Sequence, residues 1–452
     1  MIFRMLRTFK ERAGPLWWYA ALMFVVTRMG DVVNMLVGLW LAPKFVPEAE
    51  LGALLPMMNF AAVYTVGLSV LLLPVPKFMN TFATRNETGK ARALVRDVLR
   101  VTGVYALGMV VFIFWTGDAV LLRLKLENRE VLWLVAGFAL ITALTPVLTA
   151  TQQAFKLFRS LLVMTAALPY VRLAGMLIFL PLLAAVGYMM AQLGAGFAGL
   201  LIAGGAIWLA TRRMGPCESY RGHLGEMARY ALPLVLGLVA GRFQQAVESL
   251  VIRQRLPEEI SAAYYYVVMF GAIPMYFIGA ITPFFWSLVS ERFEKGERTE
   301  GLMWQSLAFT FALGGGVTLL VAFAAPLLFR WPGDWAWKAY ADHAGYIWVV
   351  CLMNVIRSGT TIFTAHEAAC RRFGYLGYVI PFSLVCTALL YVLPGWSVFK
   401  PYLPRAVWAW CDARIVVSLD LILGVMMAYS VAVFAGMVWQ LWRRRHCNSP
   451  SR

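Results

Sequence analysis

The composition of this chain is that of an integral membrane protein. Of its 452 residues, 61% are hydrophobic and only 14% are charged, whereas soluble domains carry roughly a quarter charged residues. The formal net charge of +17 does not indicate a nucleic-acid partner, because most Lys and Arg residues flank apolar segments. There they set membrane topology and contact anionic lipid headgroups.

Apolar segments of about 20 residues, long enough to cross a bilayer as a helix, recur along the whole chain. We predict twelve spans, at residues 16–42, 51–76, 99–119, 131–151, 160–182, 185–210, 230–254, 260–286, 302–329, 345–365, 374–394 and 416–441. The even number places both termini on one side, and the excess of Lys and Arg on that side predicts that it is cytoplasmic. The expected fold class is an all-α polytopic membrane protein.

The two halves of the chain repeat one another. Arg28 in the first predicted span aligns with Arg242 in the seventh, and Pro43 aligns with Pro257 at the same offset. Matched Arg and Pro positions are not generic apolar matches, so the similarity indicates an internal duplication.

This repeat predicts the domain organisation. An N-terminal six-helix bundle is expected at 1–210, a cytoplasmic linker at 211–229 and a C-terminal six-helix bundle at 230–452. Because each half holds an even number of spans, the repeat is parallel. Parallel repeats predict a substrate site between the halves and alternating access by rocking.

Four arginines fall within predicted spans, where an ionised side chain is costly and marks a functional site by default. They are Arg28, Arg172, Arg242 and Arg357. Arginine offers a planar fork of donors that suits phosphate oxygens. The sequence therefore predicts a hydrated cavity that binds an anionic substrate. The alternative for Arg172 and Arg357 is a structural bond to backbone carbonyls that a helix kink leaves free.

Acidic residues within the spans are candidates for proton or sodium coupling. Asp31 lies three residues after Arg28, so the two can pair on one helix face, either as a cavity-lining pair or as a purely structural one. Glu248 and Asp420 are isolated in sequence. Each fits either coupling or a structural role with a partner arginine or a position near the headgroups.

Uncharged polar residues in the spans add candidate contacts for sugar hydroxyls. Asn34, Asn59 and Gln245, together with Gln244, fit this role, but they fit equally well as hydrogen-bonding groups between helices. Tyr264, Tyr265 and Tyr266 open the eighth predicted span. An interfacial aromatic belt explains most aromatic residues near span ends, and sugar stacking is the alternative.

No metal site or cofactor is predicted. The six cysteines show no metal-ligand or disulfide spacing. The neighbours His366 and Glu367 lack the second histidine of a zinc-protease motif.

The sequence resembles flippases of the multidrug/oligosaccharidyl-lipid/polysaccharide (MOP) exporter superfamily, in particular the polysaccharide-biosynthesis, Wzx-type branch. The resemblance covers almost the whole chain. It includes RMGDVVNMLVGLWLAP in the first span, the loop NTFATRNETGKARALVRDVL, and the opening of the second half, HLGEMARYALPLVLGLVAGRFQQAVESLVI.

This resemblance implies two MATE-like six-helix bundles in the bacterial inner membrane. It also implies translocation of undecaprenyl-pyrophosphate-linked oligosaccharides for O-antigen, capsule or exopolysaccharide synthesis, with an ion gradient assisting. Polysaccharide polymerase and chain-length proteins would be partners. The protein would not be an enzyme.

Three alternatives stay open. A multidrug exporter of the same superfamily would favour carboxylates over arginines for cationic drugs. A peptidoglycan-precursor flippase would generally carry extra helices. A membrane polysaccharide polymerase or ligase would need catalytic groups in an outer loop, for which 395–415 is the candidate connection.

Overall fold

The computed structural model describes most of the chain. The described residues are 22–23, 25–47, 50–59, 87–124, 131–155, 157–212, 214–278, 296–330, 336–370, 372–395 and 418–447, with isolated positions between 75 and 85 and between 285 and 293. The connection 395–415 lies, apart from its first residue, outside the described residues.

The secondary structure of the described residues is helical, and no strand occurs among them. The helices are α1 (Val25–Phe45), α2 (50–59), α3 (Thr88–Leu124), α4 (Val131–Ala154), α5 (Phe158–Arg212), α6 (Leu224–Arg255), α7 (Glu258–Gly271), α8 (Ile273–Ile278), α9 (Glu300–Arg330), α10 (Ile347–Ala369), α11 (Leu376–Gly395) and α12 (Leu419–Cys447). Helices satisfy their own backbone groups, which a bilayer core requires.

Within these described ranges, nine helical stretches are long and apolar enough to cross a membrane. The predicted fold class, all-α and polytopic, is therefore confirmed. The number of twelve spans stays a prediction, because much of the second predicted span and part of the eighth lie outside the described residues.

The chain forms two compact units. Unit 1 contains α1, most of α3, α4, α5 and the start of α6 as far as Leu232. Unit 2 contains α2 and the chain from Pro233 onward.

The long helix α5 in unit 1 is two spans joined by a sharp bend. Its 55 residues would extend about 80 Å if straight, far more than a bilayer core of about 30 Å. At the bend, Ala184 has a φ of +47°, and Gly187 comes so close to the carbonyl of Phe179 that a Cβ would clash with it. This bend separates the two spans predicted at 160–182 and 185–210.

Helix α1 packs closely on the first arm of α5. A Cβ on Gly30 would lie 2.7 Å from Cγ of Pro169, so the small residue permits the close approach. Farther along α1, the backbone forms a π-helical segment at Val37–Leu41. Such segments are rare and are frequent at functional sites.

The predicted linker is anchored on unit 1. Arg92 of α3 donates to the carbonyls of Met214 and Gly215 at 3.2 and 3.1 Å. The hydroxyl of Tyr220 donates to Asp97 at 3.3 Å. Burial and then the carboxylate of Asp97 raise the pKa of Tyr220.

Unit 2 brings α2 against α7. The hydroxyl of Ser261 donates to the carbonyl of Gly52 at 3.2 Å, and α7 ends at Gly271, whose carbonyl accepts a hydrogen bond of 2.8 Å from Asn354. That bond satisfies one of the carbonyls left without a partner at a helix end.

Candidate functional site: two polar clusters in the spanning helices

The first polar cluster lies in unit 1, on one face of α1. Arg28 and Asp31 form an ion pair of 2.9 Å, as their spacing of three residues predicts. Asn34 lies three residues further along the same face. Its Oδ1 accepts a hydrogen bond of 2.7 Å from Arg172 of α5.

These four residues, Arg28, Asp31, Asn34 and Arg172, form what we term the N-terminal cluster. It holds two guanidinium groups and one carboxylate, because Arg172 is bonded to a neutral amide. The ion pair remains about one-fifth exposed. The guanidinium groups of the cluster can therefore contribute to the binding of an anion.

The second cluster lies in unit 2 and is centred on Glu248 of α6. One carboxylate oxygen of Glu248 accepts a hydrogen bond from the hydroxyl of Tyr264. The other accepts from Nε2 of Gln244 at 3.3 Å and from Nη2 of Arg357 at 3.4 Å. Three donors therefore surround this carboxylate, whose side chain is only 9% exposed. Their hydrogen bonds offset part of the cost of removing the carboxylate from water.

Arg357 joins this carboxylate to α12. Its Nε donates to Oγ of Ser430 at 3.3 Å, and the Ser430 hydroxyl in turn donates to the carbonyl of Met426. The Arg357 side chain keeps 20% of its surface exposed, so a ligand can still approach it. Gln244, Glu248, Tyr264, Arg357 and Ser430 are termed the C-terminal cluster.

The remaining predicted residues are distributed more widely. Arg242 lies on α6, but its side chain is outside the described part of the structure. Asn59 on α2 and Gln245 on α6 are partly buried. Asp420 is exposed at the start of α12, within hydrogen-bonding reach of the hydroxyl of Tyr346.

Sequence reasoning missed Tyr264 and Ser430. The interpretation of Tyr264, Tyr265 and Tyr266 as an interfacial belt is wrong, because their side chains are only 1–2% exposed. A buried phenol needs a hydrogen-bond partner. A tyrosine inside a predicted span is therefore the sequence signal for a polar partner, such as an acid, in a neighbouring span. Ser430 carries no comparable signal in the sequence.

A third polar group lies where α9 begins and α10 ends. His366 and Glu367 are fully buried, with Nε2 of His366 2.9 Å from Oγ1 of Thr299 and Nδ1 3.5 Å from Oε1 of Glu367. Among the described residues, no group of three or more His, Cys, Asp or Glu side chains could hold a metal ion. The contact between Thr299 and His366 holds the start of α9 against the end of α10.

Comparison with known proteins identifies solved structures with the same fold but no protein related in sequence. No protein-family model matches the chain, and no curated protein matches it. An inward-facing multidrug resistance MATE family transporter of the MOP superfamily matches in structure with a TM-score of 0.71 and 13% identity, covering 96% of this chain and 100% of that one.

Two further solved structures show the same similarity. The outward-facing conformation of a multidrug resistance MATE family transporter has a TM-score of 0.65 and 15% identity, covering 96% of this chain and 97% of that one. A MOP superfamily transporter from Pyrococcus furiosus Vc1 (DSM3638) has a TM-score of 0.65 and 15% identity, covering 95% and 96%. The chain is a multi-pass membrane protein with the fold of MATE transporters.

Proposed function

We propose that this protein is an inner-membrane transporter that moves a polyprenyl-pyrophosphate-linked oligosaccharide unit by alternating access, with both termini cytoplasmic. The observation that carries this proposal is the presence of arginines in the polar clusters of the spanning helices. On a transporter-like fold, Arg28 and Arg172 belong to the N-terminal cluster and Arg357 belongs to the C-terminal cluster.

Arginine in the spanning helices fits a phosphorylated substrate for physical reasons. Guanidinium groups bind phosphate oxygens in a bidentate geometry, and their attraction is stronger in a medium of low dielectric constant than in water. The lipid tail of such a substrate can stay in the bilayer while its charged headgroup crosses along polar side chains. Asn34, Asn59 and Gln245 would then contact sugar hydroxyls.

A solved structure with the same fold supports an altered substrate charge. The transporter from Pyrococcus furiosus is described as having a binding pocket of reverse polarity, which suggests a different function for that protein. By analogy, the arginines of the present chain favour anions, and Asp31, Glu248 and Asp420 are left as candidates for proton or sodium coupling.

A multidrug exporter is the second candidate function. Two of the structural neighbours described above are multidrug resistance transporters, which favours this alternative. Buried carboxylates such as Glu248 would suit a cationic drug. In this protein, however, the Glu248 carboxylate is already paired with Arg357, which argues for the anionic substrate.

The test is surface-glycan display in bacteria whose own flippase for that glycan has been deleted. We expect Arg242→Gln and Arg357→Gln each to lower display at least tenfold at unchanged protein level, because each removes a cation from a spanning helix. Arg255→Gln is the matched control, since Arg255 is exposed at the end of α6. Full display by both variants would defeat the arginine assignment.

The same strains separate the two candidate functions. A multidrug exporter would protect cells against a cationic dye such as ethidium and would leave glycan display unrestored. A flippase would restore display and give no protection.

A further inference from the structure

We propose, on the basis of the proposed function, that Glu248 is an internal counter-ion which the anionic group of the substrate displaces from Arg357. A proton from bulk water then neutralises the released carboxylate. Binding of the anion and uptake of a proton by Glu248 are thereby coupled in one site.

The geometry supports a competition for one guanidinium group. Arg357 is bound to Glu248 through Nη2 and to Ser430 through Nε, while one-fifth of its side chain is accessible. An anion that approaches the exposed part must share Arg357 with Glu248. Two anions beside one cation repel each other, so one of them has to be neutralised or leave.

The surroundings of Glu248 explain why its carboxylate is protonated once the anion displaces it from Arg357. The carboxylate is almost fully buried, so water cannot replace the cation that it loses. A buried charge left without its partner is strongly destabilising. The hydroxyl of Tyr264 contacts the carboxylate. It can rotate to accept a hydrogen bond from the protonated acid, although its bond to the ionised carboxylate is the stronger of the two.

Among the described residues, the groups that face this pair come from several helices. On the Glu248 side they are Gln244 of the same helix, Tyr264 of α7, Arg357 of α10 and Cys386 of α11. On the Arg357 side they are Tyr429 and Ser430 of α12. Of these groups, Glu248 is the carboxylic acid.

The sign of the pH dependence follows from this exchange. The proposed complex carries one proton more than the free protein, so a low pH favours binding of the anion. At high pH the anion must also drive the uptake of a proton, so binding weakens. Uptake of one proton gives a tenfold loss of affinity per pH unit at most.

The experiment is calorimetric titration of the full-length protein in lipid nanodiscs with farnesyl methyl phosphate. This phosphodiester keeps a single negative charge from pH 5 to 8, so any proton uptake belongs to the protein. Titration in two buffers of different ionisation enthalpy counts the protons. For the wild type we expect an uptake that approaches one proton and an affinity that falls as the pH rises.

Glu248→Gln mimics the protonated acid. We expect it to bind the phosphodiester at least threefold more tightly than the wild type at pH 7.5, with no proton uptake and no pH dependence. Arg357→Gln should weaken binding at least tenfold. If Glu248→Gln keeps the affinity and the proton uptake of the wild type while Arg357→Gln loses binding, the counter-ion proposal is wrong and the anion-transport proposal stands.

If neither the wild type nor Glu248→Gln binds the phosphodiester at any pH, the proposed function itself is wrong. Should Glu248→Gln fail to fold, Tyr264→Phe provides the test. Loss of a donor to the ionised carboxylate should move the decline in affinity to higher pH.

A matched control accompanies Tyr264→Phe. Tyr188→Phe removes a buried phenol of unit 1 that contacts Gln192, and it should leave the pH profile unchanged. An unchanged profile in Tyr264→Phe as well would contradict the counter-ion role of Glu248.

Discussion

At the scale of single residues, the partner of each intramembrane arginine decides how much positive charge is available to a ligand. Arg28 is paired with Asp31 and Arg357 with Glu248, so each of these cations is locally balanced. Arg172 is bonded to the neutral Asn34. Asn34 therefore orients a guanidinium group without adding a negative charge to the N-terminal cluster.

The substitution Asn34→Asp tests this role. It keeps an oxygen acceptor for Arg172 but adds a carboxylate, which gives the cluster two acids for two arginines. We expect the affinity for farnesyl methyl phosphate to fall about tenfold, which corresponds to about 1.4 kcal/mol, with no loss of thermal stability.

Asn34→Leu is the matched control, because it removes the acceptor without adding charge. It should lower the melting temperature and change the affinity for the phosphodiester much less. Equal losses of affinity in both variants would show that the position of Arg172, and not the net charge, controls binding.

At the scale of helices, the backbone of α5 carries an unusual conformation. Ala184 adopts a φ of +47° and a ψ of −124° at the bend between the two arms, a region that L-residues other than glycine rarely occupy. The adjoining chain is tightly packed, as the approach of Gly187 to Phe179 shows. Tertiary packing of the two arms therefore maintains a conformation that is locally unfavourable.

Ala184→Gly should stabilise the protein. A side chain in this conformation costs about 1–2 kcal/mol, and glycine removes most of that strain, although it also gains entropy in the unfolded chain. We expect a net gain of about 1 kcal/mol, observed as a higher melting temperature in detergent.

Ala174→Gly provides the comparison for the same chemical change in regular helix. Ala174 is exposed on the first arm of α5, where Gly should cost about 1 kcal/mol. A lower melting temperature for both variants would show that Ala184 is not strained.

At the scale of the whole molecule, the distribution of basic residues predicts the orientation in the membrane. The segment 214–223 is anchored on α3 through Arg92 and Tyr220, and it belongs to the linker that we predict to be cytoplasmic. Cys217 in this segment is exposed, whereas Cys351, Cys370 and Cys386 are buried. A native cysteine therefore reports which side the linker faces.

A membrane-impermeant maleimide should label Cys217 in inside-out vesicles and not in intact cells. The measurement requires Cys411→Ser and Cys447→Ser, so that labelling comes from the four cysteines of known exposure. Cys217→Ser in the same background should remove the signal. Labelling of Cys217 in intact cells would place the linker outside and reverse the predicted topology.

The fold class was predictable from the sequence because hydropathy acts locally. A run of about 20 apolar residues must become a helix in a bilayer, whatever its neighbours are. The resemblance to the MOP superfamily agrees with the structural neighbours at the level of fold, while membership of the flippase branch stays a prediction.

The sequence alone also determined the pair of Arg28 and Asp31, because residues three apart share a helix face. Only the tertiary structure decided that Arg172 bonds to Asn34, 138 residues away, and Arg357 to Glu248, 109 residues away. Such partners depend on how each helix is rotated and packed against its neighbours. Hydropathy and spacing within one helix do not specify that rotation.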